Sequence, residues 1–263
     1  MRRRTPLPVL VLAVIGGALI VLPVVALAVR APWGRFIETL SGEGARTALR
    51  LSLEVSLAAT VLSLLFGVPL AWVLARTVFR GRSVVRAMVV LPVVLPPVVA
   101  GVGLLAALGR RGLVGGWLER VAGIQLTFTT WGAIAGATFV SMPLVILAAE
   151  AGFRATDVRY EQAAAVLGAR PWYALRHVVL PMVAPQIAAG AVLAWARALG
   201  EFGATITFAG NLEGRTQTVP LAVFQRLQTD PDGAIALSLV LVVVCIVVLV
   251  ALRDRWLTGG ATA

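Results

Sequence analysis

Tyr160-Glu161-Gln162-Ala163-Ala164-Ala165-Val166-Leu167-Gly168, followed after a polar-to-basic stretch by Val178-Val179-Leu180-Pro181, is a helix-forming island between two long apolar segments. Ala, Glu, Gln and Leu are strong helix formers, which predicts a short helix over the first part. Gly168 suits a helix C-cap, and Pro171 shortly after it bars continuation. A second short helix is predicted from Trp172 to Val179, ending near Pro181. A helix–Gly–helix unit kept on one face of a membrane protein is read as a docking surface for a partner.

The composition around this island is that of a membrane protein. Hydrophobic residues make up 59% of the chain and the mean hydropathy is +0.93, against roughly 45–50% apolar in soluble domains. The length of 263 residues permits one membrane domain and little else. A net charge of +11 would suggest nucleic acid in a soluble protein. Here the basic residues are all arginines and lie mostly between apolar runs, so anionic lipid and topology account for them better. The lone cysteine, Cys245, excludes disulfide frameworks and cysteine metal clusters. The one histidine, His177, lies inside the island and is read as a loop residue rather than a ligand or base. No His/Cys/Asp/Glu cluster at ligand spacing occurs, so no metal site is expected.

The apolar runs predict six spans, at about Leu7–Val29, Ala48–Ala75, Ala87–Leu108, Trp131–Ala149, Gln186–Phe208 and Ala234–Leu252. The first follows Arg2, Arg3 and Arg4 and has a cleavage-like Ala26-Leu27-Ala28. A signal peptide is therefore one reading, but the run is long enough to favour an uncleaved transmembrane helix. The third span holds Pro92, Pro96 and Pro97 and is expected to bend or break. Such breaks survive in a membrane only where protein or a water-lined cavity satisfies the freed carbonyls, which suggests either a pathway-lining helix or a simple structural kink. Between spans lie an outer segment (Pro32–Arg46), an outer loop with an amphipathic patch at Trp117-Leu118-Glu119-Arg120, the island loop at 150–185, and an outer loop at 209–233. Residues 1–46 form an N-terminal helix and outer segment, 47–252 the main domain, and 253–263 a polar tail. Thirteen arginines flank the spans on the side of the termini and the island, and nine on the other, which places both termini and the island in the cytoplasm.

The spacing within the island resembles a loop of ABC importer permeases: Glu-Ala-Ala, three residues, Gly, nine residues, an aliphatic residue, one more, then Leu-Pro. Gly168 is followed after nine residues by Val178, Val179, Leu180 and Pro181. The pattern's Glu falls on Gln162, with Glu161 just before it. Either a charge at that position is dispensable or Glu161 supplies it. The resemblance implies an all-α, type I ABC importer permease fold in which this loop is the coupling helix, seated in a groove of a cytosolic ATPase through Glu161, Gln162, Ala163, Ala164, Gly168, Leu180 and Pro181. An ordinary amphipathic loop is the plainer reading.

In the fifth span, Arg197 and Glu201 stand four residues apart and are expected to share a helix face. An ionisable residue at membrane depth costs roughly 2.5–3.5 kcal/mol on insertion scales and is a functional candidate by default. One reading is a structural pair buried in the bundle. The other is a translocation pathway in which Glu201 tempers Arg197, so that an anion is met without being trapped. Glu54 is a candidate second partner for the pair. Thr205 and Thr207 either add hydroxyl donors or bond back to their own helix. Gly190, Gly200 and Gly203 are expected to let helices approach closely. No phosphate loop, nucleophile elbow or intramembrane catalytic pair is present, so no ATPase site or other enzyme activity is expected in this chain. ATP and Mg would belong to a separate ATPase subunit.

Leu199-Gly200-Glu201-Phe202-Gly203-Ala204-Thr205, followed by Ala209-Gly210-Asn211, resembles the fifth-span signature of molybdate and sulfate importer permeases. Gly214-Arg215-Thr216-Gln217-Thr218 with Pro220-Leu221-Ala222 is more similar to the molybdate branch, as is Leu91-Pro92-Val93-Val94-Leu95-Pro96-Pro97. The resemblance covers about Thr47 to Leu252. It implies a homodimeric permease in a prokaryotic cell (inner) membrane, in contact with lipid, with an ATPase dimer beneath it and an extracytoplasmic oxyanion-binding protein outside. The cargo implied is molybdate or tungstate. A sulfate or thiosulfate permease, which usually works as two different permease chains, is the alternative within the class. A stand-alone channel or secondary transporter has no need of the docking loop.

Overall fold

The computed structural model of the chain describes residues 6–257, with side chains through Val250. Arg2, Arg3 and Arg4 and tail residues 258–263 lie outside the described residues, as do the side chains of Arg253 and Arg255. The described chain is helical. In order it forms α1 (Leu7–Arg30), α2 (Phe36–Ser41), α3 (Glu43–Arg76), α4 (Arg82–Val94), α5 (Pro97–Leu108), α6 (Gly115–Ala122), α7 (Thr130–Ala155), α8 (Arg159–Val166), α9 (Pro171–Ala174), α10 (Leu180–Leu199), α11 (Gly203–Phe208), α12 (Val219–Thr229) and α13 (Pro231–Leu257).

Five helical stretches are long and apolar enough to cross a membrane: α1, α3, α7, α9–α10 taken together, and α13. The third predicted span is broken as its prolines require. Leu95 is extended, at φ −61° and ψ 135°, because the ring of Pro96 disfavours a helical predecessor. Pro96 and Pro97 then supply the start of α5, where a missing N–H costs nothing. This segment is thus two short helices. The fifth predicted span differs more. Its helix is already running at Leu180 and stops at Leu199, and 203–208 form a separate turn-and-a-half, α11. The last helix continues past Arg253 and Arg255 to Leu257, so the expected polar tail at 253–263 begins as helix.

The centre of the bundle is α3 against α7, with α10 packed across both. Leu51, Val55 and Ala59 of α3 meet Ala133, Ile134 and Ala137 of α7 and Ala198 of α10 in one buried cluster. Nearer the Tyr160–Pro181 end, Ala71 and Leu74 meet Ile146, Ala149 and Phe153, closed by Val179 and Val183. Small residues permit this: a Cβ on Gly190 would stand 2.7 Å from the Ala148 Cβ. Gly200 is different. A Cβ there would meet only the Ala196 carbonyl, at 3.7 Å, so Gly200 marks a helix end and not a packing contact. None of the residues of α1 is buried; the helix touches α13 and otherwise presents apolar side chains outward, as suits lipid.

Candidate functional site

The island folds as a short helical unit at the shared end of α3, α4 and α7. Asp157 Oδ1 accepts the Arg159 N–H at 2.9 Å just before α8. At the other end of α8, Gly168 adopts φ +84°, the left-handed conformation expected of a C-cap, while the Ala169 N–H bonds the Ala164 carbonyl at 3.0 Å. Pro171 opens α9. The second helix does not end near Pro181. Pro181 has no N–H to give the His177 carbonyl four residues back. The Leu180 N–H instead reaches Leu175 O through one π turn over Leu175–Val179, and this wider turn carries the helix past the proline into α10. The second helix of the island and α10 are therefore one continuous rod, Pro171–Leu199.

The predicted contact residues separate by direction. Glu161 turns inward: its Oε1 lies 2.8 Å from Arg76 Nη2, at the end of α3, and the same nitrogen donates to the Thr156 carbonyl at 3.0 Å. Gln162 and Ala163 are exposed and Ala164 is half-buried. Beside them Val166 and Leu167 are 88% and 87% exposed, and Tyr160, Trp172 and Tyr173 also face outward. A cleft of about 510 Å³ between α8 and α9 is lined by Ala164, Leu167, Gly168, Arg170 and Tyr173, among others. Leu180 packs against the buried cluster beneath the unit, while Pro181 is exposed. His177 stacks on Tyr173 with ring centroids 4.2 Å apart.

A second acid at this end escaped the sequence reading. Glu150 is 5% exposed and receives two arginines, Arg154 from its own helix at 3.0 Å and Arg86 from α4. Arg82 donates to the Leu74 carbonyl and so ties α4 to α3. The signal was available: Glu150 closes an apolar run with an arginine four residues on, an i,i+4 pair in the favourable order.

At the far end of α10, some 30 Å along the rod at about 1.5 Å per residue, lies the predicted pair. Arg197 Nη1 and Glu201 Oε2 are 2.5 Å apart, with Glu201 2% and the Arg197 side chain 36% exposed. They do not lie on one continuous helix. Glu201 sits in the break after α10, and its other oxygen accepts the Ala204 N–H of α11 at 2.8 Å. The Glu201 carboxylate is thus an N-terminal cap for α11 as well as a counterion. Glu54 does not join them. It pairs with Arg50 at 3.0 Å on an exposed face, the two side chains 52% and 77% exposed. Thr205 is buried in α11, and Thr207 bonds back to the Gly203 carbonyl at 2.8 Å. The arrangement offers an exposed apolar and aromatic face at one end, and at the other a guanidinium with unused donors that can meet an anion.

Residues 67–258 match the family described as "Binding-protein-dependent transport system inner membrane component". The "Molybdenum transport system permease protein ModB" of Mycobacterium tuberculosis is 46% identical over 252 residues, covering 95% of this chain and 94% of its own length. The "Sulfate transport system permease protein CysT" of Escherichia coli is 33% identical over 222 residues, 84% of this chain and 80% of its own. A crystal structure of a bacterial ABC transporter involved in the import of the acidic polysaccharide alginate superposes with a TM-score of 0.74, covering 98% of this chain and 96% of the other at 21% identity, a likeness of fold.

Proposed function

Since the chain belongs to the family of binding-protein-dependent transport system inner membrane components, we propose that it is the permease subunit of an ATP-driven importer whose cargo is molybdate or tungstate. The observation that carries this reading is the unbroken helical rod from the docking face, through the π turn at Leu175–Val179, to Arg197 and its pairing with the buried Glu201. A push on α8 and α9 is delivered along α10 to the break at Gly200–Phe202. The exposed Val166, Leu167, Trp172 and Tyr173 make the contact with a cytosolic ATPase dimer, whose bound ATP and Mg²⁺ supply the driving energy. Glu161 contributes by fixing α8 to Arg76 rather than by meeting the partner directly. The chain itself acts as a transport component without an ATPase site, paired with a second copy in the lipid bilayer, both termini in the cytoplasm. An extracytoplasmic binding protein hands over the oxyanion, and Arg197 meets it on its way.

The full-length similarity to a molybdenum permease supports the cargo. The sulfate reading is kept by the 33% identity to CysT. Uptake by membranes carrying permease, ATPase and binding protein, with molybdate, tungstate and sulfate in competition, separates them. Tungstate is expected to suppress molybdate uptake and sulfate to leave it unchanged; equal competition by sulfate, or a need for a second permease chain, favours the other branch. Arg197→Ala is expected to lower cargo-stimulated ATP hydrolysis in the reconstituted complex while assembly survives. Unchanged transport removes Arg197 from the pathway.

A further inference from the structure

The break in the fifth segment is spanned by a single side chain. α10 ends with the Gly200 N–H on Ala196 O, and α11 begins at Gly203. Helix ends inside a membrane leave N–H and C=O groups that must find partners within the protein. Glu201 answers from between the two helices. One oxygen holds Arg197 on the helix before the break, and the other holds the Ala204 N–H on the helix after it. Phe202, the next residue, points away onto Phe224 of α12, with ring centroids 5.1 Å apart.

The helix beyond the break packs most closely on α5. A Cβ on Gly203 would fall 2.3 Å from Pro97 Cβ, and one on Gly101 would fall 2.5 Å from Thr207 Cβ. α11 and α5 therefore pack glycine against side chain, Gly203 on Pro97 and Gly101 on Thr207, and both begin at a break. The rod α10 leads to the docking face, whereas α11 packs chiefly on α5, and both α10 and α11 rest on α7. Within this arrangement, the Glu201 carboxylate is the hydrogen-bonding side chain that joins Arg197 on the rod to the start of α11.

We propose that Glu201 is a cargo-displaceable clamp: its carboxylate holds α10 to α11 until an oxyanion takes its place on Arg197, so that the break yields when cargo is present. This rests on the reading of Arg197 as a pathway residue. The physical basis is competition for one guanidinium. Its planar donors bind carboxylate and tetrahedral oxyanions alike, so the two anions compete for the same N–H groups. Arg197 is 36% exposed and open to an arriving ion, whereas Glu201 at 2% is not. An anion that binds Arg197 better when the carboxylate has moved shifts the population toward the unclamped state. Glu201 is then a positioning residue: it acts on cargo through Arg197 and on the helix break through Ala204.

The test uses the full complex in proteoliposomes, with molybdate delivered by the binding protein. Glu201→Gln keeps an oxygen for the Ala204 N–H but gives up the charge that holds Arg197. ATP hydrolysis without cargo is expected to rise by about fivefold or more, the lower edge of ordinary coupling between sites, and stimulation by loaded binding protein to shrink accordingly. The purified permease–ATPase complex should also retain labelled molybdate that the wild type releases. In Arg197→Gln/Glu201→Gln the cargo-free rate should stay high while retention disappears, which separates the clamp from anion binding. If Glu201→Gln does not assemble, Glu201→Asp, charged but too short to reach both partners, enters the same assays with the same expectations. A folded variant with wild-type cargo-free hydrolysis and wild-type stimulation overturns the clamp. If Arg197→Gln still abolishes uptake in that case, the pathway reading survives alone; if it leaves uptake intact, the pathway reading fails with it.

Discussion

Glu150 at the docking end and Glu201 at the fifth-segment break are both acids withdrawn from solvent, at 5% and 2% exposure, and they are held in opposite ways. Glu150 lies inside a continuous helix and collects two arginines, one from α4 and one from α7. Its surroundings carry surplus positive charge, so losing one partner leaves the other. Glu201 lies between helices and has one arginine and one backbone N–H. Each bond is the whole of its kind, and a competitor for Arg197 changes what the carboxylate does. An over-supplied acid makes a fixed joint and a singly supplied acid makes a releasable one. The rod α9–α10 runs from the neighbourhood of the first to the second, so the contrast lies along the path that force is proposed to take.

The largest effect tests the fixed joint. Glu150→Ala leaves Arg86 and Arg154 facing each other at the end of the bundle. Breaking a buried ion pair costs ~3–5 kcal/mol, and about 3 kcal/mol is expected here because both arginines are over a third exposed. Thermal melting of the purified complex reads this directly. A melt shift no larger than that of an exposed pair would mean that Glu150 is not a joint, and the contrast with Glu201 would go.

Gly203→Ala sharpens the other side without touching a charge. A methyl 2.3 Å from Pro97 Cβ forces α11 away from α5, and overpacking of this kind costs ~1–3 kcal/mol. Uptake is expected to fall while the docking end stays intact, measured as unchanged binding of the ATPase. Equal loss of both would show that the two ends are not separate units. Between these extremes stands Glu161, whose side chain is 24% exposed and paired with Arg76. Glu161→Gln is expected to lower ATPase-coupled uptake severalfold, a loss of about 1 kcal/mol, by loosening α8 from α3. Gln162→Glu, on an exposed position, should leave it within about twofold. The reverse ranking would return the docking charge to the partner-facing position.

How far these sites were legible follows from what each feature depends on. Gly168, Pro171 and the helix formers before them are local signals, and α8, its left-handed end and the start of α9 came out where they placed them. Pro96 and Pro97 announced a broken third segment because a proline ring acts on its own chain, whereas Pro92 sits inside α4 without breaking it. Five long apolar stretches and the broken third segment are what hydropathy alone could mark. The fifth segment was misplaced at both ends for a physical reason. A π turn let the helix run through Pro181, and a carboxylate, rather than a proline, supported the break at Gly200–Phe202. Neither leaves a periodic trace. The inward turn of Glu161 depends on Arg76, far away in sequence, and no spacing rule reaches that distance.

The smallest expected effect closes the series of carboxylates. In the sequence Glu54 is a candidate second partner for Arg197 and Glu201, but in the structure its guanidinium partner is Arg50 one turn away, with both side chains more than half exposed. An exposed i,i+4 pair contributes roughly 0.3–0.5 kcal/mol, even before the entropy of two long side chains is counted. Glu54→Gln should therefore leave melting unchanged and uptake within about twofold, and it should not alter cargo-free ATP hydrolysis. If it instead reduces uptake as Arg197→Ala is expected to, the anion's route extends to the α3 face around Glu54. The acid at the break would then share its work with a carboxylate it does not touch.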